Sequence, residues 1–180
     1  WVKPAQLTTL GLIGAAMVLA GYAASGMDGL WLWLAIAGFI VHWFGDSLDG
    51  SLARYRQIER PRFGYFIDHS ADGLGNLMIV GGLGLSPFVR LDVSLAALAG
   101  YYLMSIHAFL AVRVLGELRL SYVAAGPTEL RLALIGMTLL MYFYGGEAPR
   151  IAGLSAFDFA VALVAALLIV LFVFQTIGTG

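Results

Sequence analysis

The stretch LWLWLAIAGFIVHWFGDSLDGSLAR, from Leu30 to Arg54, decides how this chain folds. Its first part, Leu30–Phe44, is apolar almost throughout, which suits a helix that lipid covers all round. Crossing a bilayer takes about 20 residues. The run therefore spans only if its helix continues through Asp46, Asp49 and Ala53. The result is a membrane helix that carries carboxylates at one face of the bilayer.

Composition extends that reading to the whole chain. Hydrophobic residues fill 61% of 180 positions, charged residues 12%, and the mean hydropathy is +0.89. A soluble domain carries roughly 25% charged residues and would aggregate through apolar patches at half that fraction. The net charge of −1 gives no basic surface for nucleic acid, so none is expected as a partner. The absence of cysteine excludes disulfides and thiolate metal sites and says nothing of compartment. The sequence opens on Trp1 rather than Met, so residues are expected to precede it and a leader-peptide argument has no footing there.

Outward from the opening stretch, apolar runs recur at Leu7–Ala24, Phe66–Leu85, Val93–Leu115, Leu130–Tyr144 and Phe157–Ile177. The Leu130–Tyr144 run is also short and needs the residues near Gly126–Glu129 or Gly145–Gly146 to span. The expected fold is all-α, a polytopic membrane protein with six transmembrane helices. Barrel strands would be shorter and would alternate with period two. The links, including Arg54–Gly64, Gly116–Pro127 and Gly145–Ser155, are too short for a soluble domain, so residues 1–180 read as one transmembrane domain. The segment Val80-Gly81-Gly82-Leu83-Gly84 follows a helix and lacks the dinucleotide-binding spacing, so its glycines read as helix-packing residues.

In a six-span arrangement Lys3, Arg54, Arg56, Arg60, Arg62, Arg113, Arg119 and Arg131 fall on one side, and only Arg90 and Arg150 on the other. The positive-inside rule then places both termini in the cytoplasm. The expected location is a prokaryotic inner (plasma) membrane, with the acidic segment at its cytoplasmic face.

Function concentrates in two segments, Gly45-Asp46-Ser47-Leu48-Asp49-Gly50-Ser51-Leu52-Ala53-Arg54 and Gly64-Tyr65-Phe66-Ile67-Asp68-His69-Ser70-Ala71-Asp72. Asp46 and Asp49 are three apart, and Asp68 and Asp72 four apart, so each pair shares one helix face. The link containing Pro61 lets the pairs face each other across antiparallel helices. Single acids near a helix end are ordinarily solvated or paired with arginines such as Arg54, Arg56, Arg60 and Arg62. Four facing carboxylates at a membrane boundary stay ionised only around a cation. With no cysteine and three histidines available, the fitting cation is hard and oxygen-seeking, Mg²⁺ or Mn²⁺. His69 sits beside Asp68 in sequence but about 100° away on a helix, off the metal face. His42, one turn before Asp46, reads as a partner of that acid or as packing.

Here the sequence closely resembles the CDP-alcohol phosphotransferase family of membrane enzymes. The family's pattern is D-x-x-D-G-x-x-A-R, a short gap, then G-x-x-x-D-x-x-x-D. Asp46, Asp49, Gly50, Ala53, Arg54, Gly64, Asp68 and Asp72 fill every fixed position. The resemblance implies transfer of a substituted phosphate from a CDP-linked donor to an alcohol hydroxyl, with release of CMP, in phospholipid biosynthesis. It implies that Asp46, Asp49 and Asp68 bind divalent metal, that Asp72 completes a two-metal site, and that Asp72 is the general base. Gly50, Ala53 and Gly64 would line the cytidine and pyrophosphate pocket, with Arg54 in support. A homodimer is implied too, with Gly75, Gly81 and Gly100 as candidate contact positions.

Two smaller likenesses lie outside the pattern. Trp1-Val2-Lys3-Pro4-Ala5-Gln6-Leu7-Thr8 is similar to the family's W-x-x-P-N-x-x-T opening, with Ala5 where Asn is usual. Gly126-Pro127-Thr128-Glu129 is similar to the G-P-T-E segment of the choline and ethanolamine branch, which gives Glu129 and Arg131 a possible acceptor-side role. Thr128 as a helix cap, with Glu129 in the first turn, is the plain structural reading. The preferred donor is CDP-diacylglycerol, which compact members of the family commonly use. The alternative is CDP-choline or CDP-ethanolamine with a diacylglycerol-like acceptor. A cation or solute transporter is the rival from another class, but the acids sit at one interface and no inverted repeat is evident.

Overall fold

The computed structural model describes residues 1–115, 127–145 and 150–179. Their order is α1 (Pro4–Ala24), α2 (Trp31–Tyr55), α3 (Pro61–Leu85), α4 (Leu91–Leu115), α5 (Pro127–Tyr144), β1 (Arg150–Ile151), β2 (Leu154–Ser155) and α6 (Ala156–Thr179). Glu117, Arg119, Gly126 and Gly146 lie outside the described residues.

α1 begins on Pro4, whose fixed φ suits a first helical turn, and the Lys3 N–H donates to Gln6 Oε1 at 2.8 Å. Helix α2 runs on past its apolar part through Asp46 and Asp49 to Tyr55, as its length requirement predicts. It ends in a Schellman turn: the Ile58 N–H reaches the Ala53 carbonyl at 3.1 Å and the Gln57 N–H reaches Arg54 at 3.0 Å. Gln57 takes the left-handed position with φ 54°, where glycine is commoner. The chain reverses there, and α3 starts on Pro61.

α1 packs along α2 and α3, α4 lies against α3 and α6, and α2 touches α5. The α1–α2 seam is set by glycine. A Cβ on Gly38 would sit 2.7 Å from the Gly14 carbonyl and the Val18 nitrogen, and one on Gly14 would collide with the His42 backbone. Such contact lets dispersion and interhelical bonds hold helices where no hydrophobic effect operates between them. The core beside the seam contains Val18, Tyr22, Leu32 and Phe39, all fully buried. The Tyr22 hydroxyl bonds Thr138 of α5 at 2.6 Å, and Tyr102 donates to the Gly73 carbonyl at 2.8 Å.

The opposite end is closed by Asp158. Its carboxylate accepts the N–H groups of Arg90 and Ser155, each at 2.7 Å, beside the two-stranded β1–β2 turn. Large apolar side chains such as Leu163, Phe174 and Phe143 point outward, as lipid-facing residues do.

Six transmembrane helices were expected, and the structure corrects that count. Among the described residues four helices are long and apolar enough to cross a membrane: Pro4–Ala24, Trp31–Tyr55, Leu91–Val114 and Ala156–Gly178. α3 carries Arg62, Asp68, His69 and Asp72 in its first half, which dilutes its apolar length. α5 has 18 residues, about 27 Å at 1.5 Å per residue against a hydrocarbon core of about 30 Å. Glu129 and Arg131 occupy its first turns. The placement of both termini in the cytoplasm was built on six alternating spans and goes with them. Of the proposed dimer-contact glycines, Gly75 faces His42 and Gly100 faces Leu168 within the chain, while Gly81 meets nothing within 4 Å.

Candidate active site

After the Arg56–Arg60 reversal α1 packs against both α2 and α3, and the sequence's two acidic pairs line one pocket between these helices. Asp46, Asp49, Asp68 and Asp72 line one small pocket with Thr8 of α1 and His42 of α2. Each acid has a different setting. Asp49 is buried and accepts the Thr8 hydroxyl at 2.7 Å and the Gly50 N–H at 2.5 Å. Asp46 forms an ion pair with the Arg131 guanidinium of α5, the two side chains being 23% and 14% exposed. Asp68 is the most open, at 44%.

Crowding of negative charge is visible in the α3 acids. Burial, then the Asp46 and Asp68 carboxylates, push the Asp72 carboxyl up to about 7, with Arg131 opposing. Burial and Asp49 likewise raise Asp68, and His69 opposes. Two like charges in a half-dry pocket cannot both ionise without a counter-charge. Arg131 supplies one to Asp46, and the remaining acids are short of one. An all-carboxylate donor set of this kind fits a hard divalent cation.

The structure also brings His69 in. Donor atoms of Asp68, His69 and Asp72 lie within 4.8 Å of one another, a group able to hold a metal ion. The sequence reading set His69 aside because it stands 100° from Asp68, but it precedes Asp72 by three residues and so shares that acid's face. Thr8 was also missed as a site residue. The final Thr of the opening motif was the available signal, but nothing local links it to Asp49.

Other expected site residues stand outside the pocket wall. Gly50 is half-exposed, and among the described residues a Cβ there would meet only the Arg54 guanidinium, at 3.5 Å. Arg54 is exposed and donates to Ser51 Oγ at 3.2 Å. Ala53 is half-buried, and Gly64 is exposed with nothing among the described residues within 4 Å of a Cβ position. Glu129 is exposed in the first turn of α5, two residues from Arg131, which does enter the site. His42 packs rather than pairing with Asp46: it is buried, with Nδ1 3.1 Å from the Gly11 carbonyl. His107 lies far off, 3.4 Å from the Thr176 hydroxyl.

A chain with four apolar spans and this acidic pocket is an integral membrane protein with its polar chemistry at one end. Residues 1–177 match the CDP-alcohol phosphatidyltransferase family, and the chain belongs to that family. It is also similar to archaetidylinositol phosphate synthase from Pyrococcus horikoshii, 31% identical over 104 residues, covering 58% of this chain and 52% of that protein. The match thus spans about half of the relative's length. No solved structure matches the chain.

Proposed function

We propose that the protein transfers a substituted phosphate group from a CDP-linked lipid donor, CDP-diacylglycerol or its like, to the hydroxyl of an alcohol acceptor, releasing CMP. The observation that carries this reading is the convergence of Asp46, Asp49, Asp68 and Asp72 on one pocket at the end of a membrane helix bundle. These four acids would hold Mg²⁺ or Mn²⁺. When bound, the metal would neutralise the pyrophosphate and improve CMP as a leaving group.

The chain's own residues account for the other requirements. Asp72, whose surroundings favour a proton near neutral pH, takes the proton from the acceptor hydroxyl. The hydroxyl oxygen forms its bond to the phosphorus that bears the donor's alcohol, and the bond from that phosphorus to CMP breaks. Thr8 holds the Asp49 carboxylate in orientation. Arg54 lies over Gly50, and a Cβ at Gly50 or Gly64 would meet nothing else within 4 Å among the described residues, which would leave room for the cytidine and pyrophosphate. Arg131 neutralises Asp46, and on this reading it would also face the acceptor. Arg54, Arg56, Arg60 and Arg62 crowd the same end, which supports a cytoplasmic site. A role in lipid synthesis is supported by the relative's name, archaetidylinositol phosphate synthase.

The test is CMP release by purified protein from CDP-diacylglycerol with serine, glycerol phosphate, inositol phosphate or inositol. CDP-choline and CDP-ethanolamine with diacylglycerol form the opposing set. Product from the second set alone would overturn the donor choice, and no CMP from either would overturn the transferase reading.

A further inference from the structure

His69 is the polar side chain at this site to which the reading above gives no task. Its Nδ1 is buried and makes no hydrogen bond among the described residues. Its nearest charged neighbour is Asp68 Oδ2 at 3.5 Å, an ion-pair contact longer than a good hydrogen bond. The ring is held in place: Tyr65 stacks on it at 4.1 Å, Phe109 of α4 at 5.1 Å, and the two aromatics meet edge to face at 6.3 Å. A buried ring nitrogen without a partner costs free energy unless something outside the chain uses it. A ring nitrogen of His69 and carboxylate oxygens of Asp68 and Asp72 all lie within 4.8 Å of one another, and Nδ1 is the nitrogen beside Asp68. His42, the histidine that lines the pocket itself, has Nδ1 turned to the Gly11 carbonyl.

We propose that His69 Nδ1 is a nitrogen ligand of the metal centre and biases it toward Mn²⁺ over Mg²⁺. The inference rests on the metal-dependent reading of the four aspartates. Mg²⁺ favours oxygen donors and keeps its waters, whereas an imidazole nitrogen is a better ligand for a transition ion. The competing role is a His69 that only packs between Tyr65 and Phe109 beside Asp68.

Pulsed electron paramagnetic resonance of Mn²⁺ bound to the purified protein separates the two. The chain has three histidines, so assignment is direct. Nitrogen coupling to Mn²⁺ is expected in the wild type, lost in His69→Gln and kept in His107→Gln. In competition with Mg²⁺, the Mn²⁺ preference should fall about tenfold in His69→Gln. Bound Mn²⁺ without nitrogen coupling in the wild type, a result that needs no variant, would overturn the assignment. So would coupling that survives in His69→Gln. Mn²⁺ that fails to bind, or binds Asp49→Asn undiminished, would instead overturn the metal reading and this inference with it.

Discussion

Replacing Arg131 by Gln removes the one protein cation paired with the four-acid pocket among the described residues. Breaking a fully buried ion pair costs about 3–5 kcal/mol, because the remaining charge is stranded. Here the two side chains are 14% and 23% exposed, so water relieves part of that strain. A cost of about 1–3 kcal/mol is expected in the metal-free protein. For a chain of 180 residues that corresponds to a fall in Tm of roughly 2–12 °C. A divalent cation brings its own counter-charge, and at about 100 times its Kd it stabilises by about 2.7 kcal/mol. The deficit of Arg131→Gln should therefore be large in EDTA and shrink at saturating Mn²⁺, while Arg131→Lys keeps most of the wild-type Tm in both. Thermal melts in one detergent, with and without metal, make the measurement. An Arg131→Gln deficit that is absent in EDTA, or equal with and without metal, would refute the idea that guanidinium and metal serve the same charge.

The remaining expectations concern the acids themselves. Asp49→Asn should lower Mn²⁺ affinity at least 100-fold, about 2.8 kcal/mol, and abolish CMP release; full turnover with intact binding would contradict its ligand role. Asp72→Asn should lose saturated turnover while keeping more of its donor affinity, since a base acts in the transition state; weak donor binding with unchanged kcat would contradict that. Because the Asp72 carboxyl is raised to about 7 from an ordinary 3.8, the folded protein holds a proton there that the unfolded chain has lost. Stability in EDTA should then fall as pH rises from about 4 to about 7, and divalent metal should flatten the slope. A pH-independent Tm over that window in EDTA would exclude this account.

Much of this was legible in the chain because its signals are local. The α2 apolar run was too short to span, which required the helix to continue through its acids, and α2 does end at Tyr55. Spacings of three and four placed each acidic pair on one face without knowledge of the fold. What escaped was tertiary. Thr8 and Asp49 are 41 positions apart, and Arg131 and Asp46 are 85 apart, so no helical period links them. Arg131 was flagged only through its neighbours Glu129 and Gly126, and its true partner lies on another helix. His69 was misjudged for a different reason: its angle was measured from Asp68 and not from Asp72.

The span count and the site have one physical cause. α3 and α5 are the two helices absent from the apolar set, and they carry Asp68, His69, Asp72 and Arg131. α2 also carries two site acids, yet it stays in the set because a long apolar run precedes them. Carboxylates deep in hydrocarbon cost several kcal/mol each, so such a pocket is tolerable only where helix ends approach water. The last turns of α2 and the first turns of α1, α3 and α5 meet at that end, as the Thr8–Asp49 and Arg131–Asp46 contacts require. At the far end, Asp158 and Ser155 close the bundle with main-chain bonds, the acids there lie beside Arg90, and no comparable group of metal-ligating side chains occurs among the described residues. Polar length that the membrane span lacks is thus present in the pocket. A substitution making α3 more apolar, Asp68→Leu for example, would lengthen its apolar face at the direct expense of the site.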